Sequence, residues 1–376
     1  MNAAPRIVCV SNRLPVTATE ENGKLEFLPS SGGLVTALQP VLEMWQGVWA
    51  GWPGTLTSAK EAVEGALAEF SAQSDFQLLP VLLDQEAVTG FYQGFSNQII
   101  WPLFHDLQSR CNFEPEFWEA YIRVQHSFRD ELLKHIRETD LLWVHDYHLI
   151  GLGNVLRKEG FQGRIAFFLH TPFPGPDIFS KLPWRNEVLE SLLSYDLVGF
   201  QTQHEVHNFL DCVEALTPYR YTRRRELFAV KVDKLECAVG GFPVSIDFNE
   251  FEGSARLPEV EAKAKTIRDD MNVEFLVLSM DRLDYTKGIP YRIKAFKRML
   301  ELEPNLKKRV ALLQVVVPSR VEVPEYKQLR LEIEQLVSEL NGTHGEPGWV
   351  PVHHLFRSLL REEVIAMYRA SDVALV

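Results

Sequence analysis

Cysteine is scarce in this sequence: four residues in 376, at Cys9, Cys111, Cys212 and Cys237, far apart and with no CxxC pair. Zinc sites and disulfide frameworks need closer thiols, so neither organises this fold, and the four read as small buried hydrophobes. Long apolar runs are missing as well. Stretches such as Val310 to Pro318 fall well short of the ~20 residues that a membrane helix needs, and the N-terminus lacks a signal-peptide pattern. Basic charge is in deficit, with 39 Lys and Arg against 51 Asp and Glu and a formal charge of −12. A sequence-independent grip on nucleic-acid phosphates or anionic lipid would work against that mean field, so phosphate recognition must be local. No repeat period, heptad run or low-complexity block is present, which sets aside solenoids and coiled coils. The expectation is a cytoplasmic chain without nucleic-acid or membrane partners, with a homo-oligomer left open.

What is present is enough apolar material, 46% of residues, for two cores, and the length fits two domains at ~150 residues each. Short, nearly continuous apolar runs recur at Arg6 to Val10, Leu141 to His145, Arg164 to His170, Leu197 to Gln201, Glu274 to Met280 and Val310 to Val317. Such runs suit parallel strands covered on both faces by helices, an α/β rhythm. Ser31-Gly32-Gly33-Leu34 opens a helical pattern with Leu34, Leu38 and Leu42 on one face, and Pro324 to Leu340 reads as a long charged helix. The pattern breaks at Gly240-Gly241-Phe242-Pro243, which places the domains at 1–242 and 243–376.

Ligands of open α/β sheets sit beyond the carboxyl ends of the strands. The polar residues there are Ser11-Asn12-Arg13, His145-Asp146-Tyr147-His148, His170-Thr171-Pro172, Asp281 to Gly288 and Pro318-Ser319-Arg320. Gly32-Gly33 at a helix start can bring backbone N–H groups close to a phosphate, although alone such a pair is more often only a turn. Gly151-Leu152-Gly153 lacks the third glycine of a dinucleotide fingerprint, and Lys287 precedes Gly288 in the wrong order for a P-loop. Arg282 and Lys287 can clamp a diphosphate across a strand-to-helix turn, or be a solvated surface pair; Arg13 and Arg320 at other strand ends favour the clamp. Trp52, Tyr92 and Trp101 stand in polar or Gly/Pro-rich surroundings, where a ring can stack on a sugar; Trp118, Trp143 and Trp184 read as core. Arg220, Arg223, Arg224 and Arg225 read as a solvated loop without a role. His145 and His148 lack the further ligands that a metal site needs.

Taken together, Val10-Ser11-Asn12-Arg13-Leu14-Pro15-Val16, Ser30-Ser31-Gly32-Gly33-Leu34, Gly94-Phe95-Ser96-Asn97, Trp101-Pro102-Leu103-Phe104-His105, Trp143 to His148, Phe168 to Pro174 and Arg282 to Gly288 resemble the trehalose-6-phosphate synthase family. The resemblance spans the whole chain and rests on several long motifs in the right order. It implies a retaining glucosyltransferase of two facing Rossmann-like domains (the GT-B fold), joining glucose from UDP-glucose to glucose 6-phosphate with no cofactor and no metal. By motif, it implies that Arg13, Tyr92, Trp101 and Arg320 grip the acceptor, with Trp52 a weaker member, and that Asp146 holds acceptor hydroxyls. Gly32 and Gly33 would lie against the donor diphosphate, His170 would contact the donor glucose, and Arg282 with Lys287 would stabilise the UDP leaving group. His170, Arg282, Lys287 and Asp146 make up the implied catalytic set.

Two departures from the family pattern stand out. Ser245 replaces the usual glycine, and the chain stops at Ser371 to Val376, before the acidic loop and glutamate that the family uses for donor glucose and ribose. The expectation is a second domain truncated at its C-terminus. The alternatives are a glucosylglycerol-phosphate synthase, which uses glycerol 3-phosphate and whose pattern Leu182-Pro183-Trp184-Arg185 also fits, and a non-catalytic regulatory homologue that binds sugar phosphate.

Overall fold

A computed structural model describes residues 6–21, 24–30, 32–56, 60–72, 74–233, 235–320 and 323–376. Ser31, in the expected helix start, lies outside them. The chain forms two compact units, Met1–Ser245 and Ile246–Val376.

The first unit is built on strands β1 (Ile7–Arg13), β4 (Val48–Trp52), β5 (Gln77–Pro80), β6 (Leu141–His145), β7 (Arg164–Phe168), β8 (Leu197–Phe200), β9 (Tyr221–Arg224), β10 (Leu227–Val232) and β11 (Leu235–Gly241). A separate hairpin, β2 (Val16–Glu21) with β3 (Lys24–Pro29), follows β1. The nine strands order as β5-β4-β1-β6-β7-β8-β11-β10-β9. They are parallel from β5 to β11, and β10 and β9 then extend the sheet antiparallel. Residues Val8, Cys9 and Val10 are buried because both faces of β1 are covered, which is why the run is apolar without alternation. From β1 the chain first moves outward to β4 and β5, then returns to lay β6 on the other side. The sheet's switch point, where ligand crevices open in this class of fold, is therefore at the carboxyl ends of β1 and β6.

The second unit has four parallel strands in the order β14-β13-β12-β15, with β12 at Phe275–Arg282, β13 at Val310–Val317, β14 at Val352–Phe356 and β15 at Val373–Ala374. Its core joins Leu312 and Val316 to Ile289, Ile293, Phe296 and Leu300, one face of the helix Ile289–Leu302, and to Ile333 and Leu340 of the helix Pro324–His344. Burying each of these large apolar side chains contributes about 1.5–3 kcal/mol. The sheet again switches direction beside β12, whose last residue is Arg282.

Two expectations need correction. The arginine run is not all loop: Arg223 and Arg224 lie on the edge strand β9, paired to Phe228 and Leu227 of β10, while Arg220 precedes the strand and Arg225 is in the turn. An edge strand keeps one side in water and tolerates charge, so its sequence lacks the apolar pattern of an inner strand. Trp118, Trp143 and Trp184 are half-buried instead of core, and Trp118 and Trp184 stack on each other at 5.5 Å. Three of the cysteines, Cys9, Cys212 and Cys237, are buried and Cys111 is half-buried; all four are free, and burial pushes their thiols up.

Candidate active site

In the first unit, Arg13 ends β1 and Trp52 ends β4, and their register brings them side by side. The guanidinium carbon of Arg13 lies 4.6 Å from the centre of the Trp52 ring. Loss of water lowers the Arg13 pKa, partly offset by the Tyr92 oxygen nearby. A signal in the sequence marks this contact: Gly54 has φ +91°, and a Cβ there would collide with the Arg13 guanidinium, so only glycine lets the side chain lie flat. Trp52, read as the weaker member, is thus the ring that carries the cation, and its indole N–H donates to the Thr55 carbonyl at 2.8 Å.

Tyr92 and Trp101 join the same constellation through a run of rings. Tyr92 lies on the thirteen-residue π-helix Val88–Ile100, 6.3 Å from Trp52 and stacked on His148 at 5.8 Å. His148 stacks on Tyr147 at 4.0 Å, and Tyr147 meets Trp101 at 5.7 Å. Asn97 ties the run together, donating to the Tyr92 carbonyl at 2.7 Å and accepting from the Tyr147 hydroxyl at 3.2 Å. π-Helical segments cluster at functional sites because they re-aim side chains that an α-helix would bury.

Asp146 follows β6 with φ +71°, a left-handed conformation that costs a non-glycine residue about 1–3 kcal/mol. The strain is held by its N–H donating to the Phe168 carbonyl at 2.8 Å and its carboxylate accepting from the His170 N–H at 3.3 Å. Buried hydroxyls and an amide beneath fix the same turn. Tyr121 donates to the Tyr147 carbonyl at 2.9 Å and accepts from the Ile150 N–H at 3.0 Å, Tyr195 accepts from the Gly153 N–H at 2.9 Å, and Gln125 donates to the His148 carbonyl at 2.9 Å. None of these three supports was singled out in the sequence, because their partners lie 23 to 42 residues away.

His170 shares a ring-to-ring hydrogen bond with His145, Nδ1 of His145 to Nε2 of His170 at 3.1 Å. Burial holds His145 well below the usual imidazole range, with His170 adding to the effect; burial also lowers His170, against the pull of Asp146. Both rings are neutral at pH 7, so one proton lies between them. Nε2 of His145 is buried without a hydrogen-bond partner among the described residues. An orphaned N–H is the rarer and costlier state, which assigns the proton to His145 Nδ1 and leaves His170 with its own proton on Nδ1, available to a ligand hydroxyl. Gly33 begins the helix Gly33–Trp45 and Gly32 caps it; a Cβ on either would meet nothing within 4 Å, so the surface above both stays open.

In the second unit, Arg282 and Arg320 cluster about one carboxylate, and the Lys287 N–H donates to the carbonyl of the same residue at 3.1 Å. Asp284 is fully buried; its Oδ2 lies 3.5 Å from Arg282 and 3.6 Å from Arg320, and its Oδ1 accepts from the Thr286 N–H and hydroxyl at 3.0 and 2.9 Å. Arg320, at φ +48°, also donates to the Tyr326 hydroxyl at 2.5 Å, so its guanidinium is turned into the unit. Arg282 and Lys287 remain exposed. Buried Arg292 braces the turn, donating to Asp281 and to the Lys287 carbonyl, each at 2.5 Å. Among the described residues, no three His, Cys, Asp or Glu side chains group as metal ligands.

A sequence profile of glycosyltransferase family 20 matches residues 5–376. The chain belongs to glycosyltransferase family 20. This family 20 chain is similar to the UDP-forming alpha,alpha-trehalose-phosphate synthase of Pichia angusta, 38% identical over 382 residues, covering 98% of this chain and 79% of that one. A solved structure from E. coli, bound with UDP-2-fluoro glucose, superposes with a TM-score of 0.85 at 31% identity, over 99% of this chain and 78% of the other. A synthase from Burkholderia xenovorans in complex with glucose-6-phosphate superposes at 0.87 with 28% identity, over 98% and 78%. The mixed α/β architecture with parallel sheets is that of these GT-B proteins. No helix among the described residues is long and apolar enough to cross a membrane.

Proposed function

We propose that this chain transfers glucose from UDP-glucose to glucose 6-phosphate with retention of configuration, forming trehalose 6-phosphate and UDP. The observation that carries the reading is Arg13 at the switch point of the first sheet, its guanidinium laid over the Trp52 ring and beside Tyr92. A cation laid on one ring and beside another, and still open to a ligand, suits a phosphate ester on a sugar better than a bare anion. Tyr92, Trp101 and Asp146 complete the acceptor side, the rings against the sugar and the carboxylate on its hydroxyls.

On the donor side, the Gly33 N–H at an open helix start meets the diphosphate, and His170 donates from Nδ1 to a glucose hydroxyl. Arg282 and Lys287 stabilise the charge that grows on the diphosphate as the glycosidic bond lengthens. The acceptor's anomeric hydroxyl attacks on the same face; its oxygen bonds to the glucosyl carbon, the bond to the diphosphate oxygen breaks, and that oxygen takes the hydroxyl proton. Isothermal titration with glucose 6-phosphate, glycerol 3-phosphate and UDP, alongside trehalose 6-phosphate formation, tests the reading. Tighter binding of glycerol 3-phosphate than of glucose 6-phosphate would overturn the acceptor assignment.

A further inference from the structure

The arginines of the β9–β10 hairpin take no part in that reaction, yet one of them lines a cavity of about 540 Å³ lying wholly within the first unit. Gln203 and His207 contribute from the helix Gln203–Leu216, Arg223, Glu226 and Phe228 from the hairpin, and Phe242 from the end of β11. The volume falls in the ~300–1,000 Å³ range of small-molecule sites. The cavity sits at the carboxyl ends of the parallel neighbours β8 and β11, the edge on which such sheets bind ligands. β11 is four positions from β1 in the sheet, roughly 19 Å at ~4.8 Å per strand, so this is not the Arg13 site.

Strand alternation sorts the arginines. Arg223 stands opposite Phe228, with Tyr221 and His207 edge-on to the Phe228 ring at 5.5 and 5.9 Å, so guanidinium, imidazole and ring share the cavity face. Arg224, next along, turns the other way and pairs with Glu236 at 2.5 Å. Arg223 makes one 3.4 Å hydrogen bond, to the Arg225 carbonyl, and no ion pair among the described residues. The floor is kept open by Gly241, where a Cβ would come within 2.9 Å of the Gln203 amide.

Arg223 suits a phosphate monoester, and His207, whose Nδ1 hydrogen-bonds the Gln203 carbonyl at 2.5 Å, keeps Nε2 for the ligand. Glu226 would repel a bare anion but accepts from hydroxyls, as the Gln203 amide also can, and the rings of Phe228 and Phe242 offer apolar faces to the C–H side of a sugar. We propose that this cavity is a second sugar-phosphate site, taking a phosphorylated monosaccharide apart from the reaction centre. The probes are glucose 6-phosphate, inorganic phosphate and glucose, titrated calorimetrically into the whole chain. Glucose 6-phosphate is expected to bind in two events. Arg223→Glu weakens one of them about tenfold or more with melting temperature and circular dichroism unchanged, the residue being exposed. Glu226→Gln preserves that event and raises competition by inorganic phosphate. A single event in the parent, an Arg223→Glu isotherm equal to the parent's, or inorganic phosphate competing as well as the sugar phosphate in the parent would each overturn the proposal. Failure of the proposed reaction reads differently: Arg13→Ala would then leave both events intact while Arg223→Glu still removed one.

Discussion

Replacing Asp284 with Asn is expected to destabilise the second unit by about 3 kcal/mol while preserving its local turn. At 3.5 Å and an effective dielectric near 20, each arginine pair is worth about 5 kcal/mol before desolvation is subtracted. The Arg282 side chain is 44% exposed, so solvent screening reduces its share to about 1 kcal/mol or less. Arg320 is 6% exposed and keeps most of its share, and removing the charge leaves that guanidinium buried without its carboxylate, a loss of about 3–5 kcal/mol in comparable pairs. Asn can still accept at Oδ1 from Thr286, whereas Ala cannot, so Asp284→Ala should lie about 2 kcal/mol below Asn through two lost hydrogen bonds. Trp349 is the one tryptophan between Ile246 and Val376, so 5-fluorotryptophan labelling gives a single ¹⁹F resonance that follows this unit in urea. If Asp284→Asn unfolded within ~0.5 kcal/mol of the parent, the buried hub would be refuted.

Arg13→Ala should weaken glucose 6-phosphate binding by about 2–4 kcal/mol and leave UDP binding nearly unchanged, by calorimetry, while Gly54→Ala, which evicts the same guanidinium, should give a similar selective loss; equal losses for both ligands would argue against the acceptor role. Arg282→Ala should lower kcat/KM about a hundredfold, read as UDP release from UDP-glucose without added Mg²⁺. Stability should fall below pH 6.5. The unfolded imidazole of His145 takes a proton near that pH and the folded one only well below it, so stability present above 6.5 drains at about 1.4 kcal/mol per pH unit as pH falls. His145→Gln should flatten that slope in urea titrations at pH 5 to 7, and an unchanged slope would show that the ring is not held neutral.

Much of the fold was legible because apolar continuity reports burial directly. The runs at Leu141 to His145 and Val310 to Val317 are strands at the same residues, and Arg6 to Val10 differs by a shift at its start and an extension to Arg13. Val48–Trp52 escaped because Gly51 and two tryptophans blur the β-branched signal, and the arginine hairpin escaped because edge strands need not alternate. At the site, the residue types at the strand ends were readable. Their partners were not: Asp284 read only as one motif letter, and His145 as a failed metal ligand.

By itself, the sequence determined which side chains stand at the carboxyl ends of the strands, because strand periodicity and the chemistry of Arg, His and Asp are local properties of the chain. Only the tertiary structure decided what those groups are. Sheet order placed Arg13 against Trp52, thirty-nine positions on; the pairing of β6 with β7, which sets His145 opposite Phe168, brought His145 within hydrogen-bond reach of His170, and burial kept both rings neutral with one proton between them; a single buried carboxylate gathered Arg282 and Arg320. Desolvation, tautomer and counter-ion all depend on neighbours distant in sequence, and no local pattern encodes them.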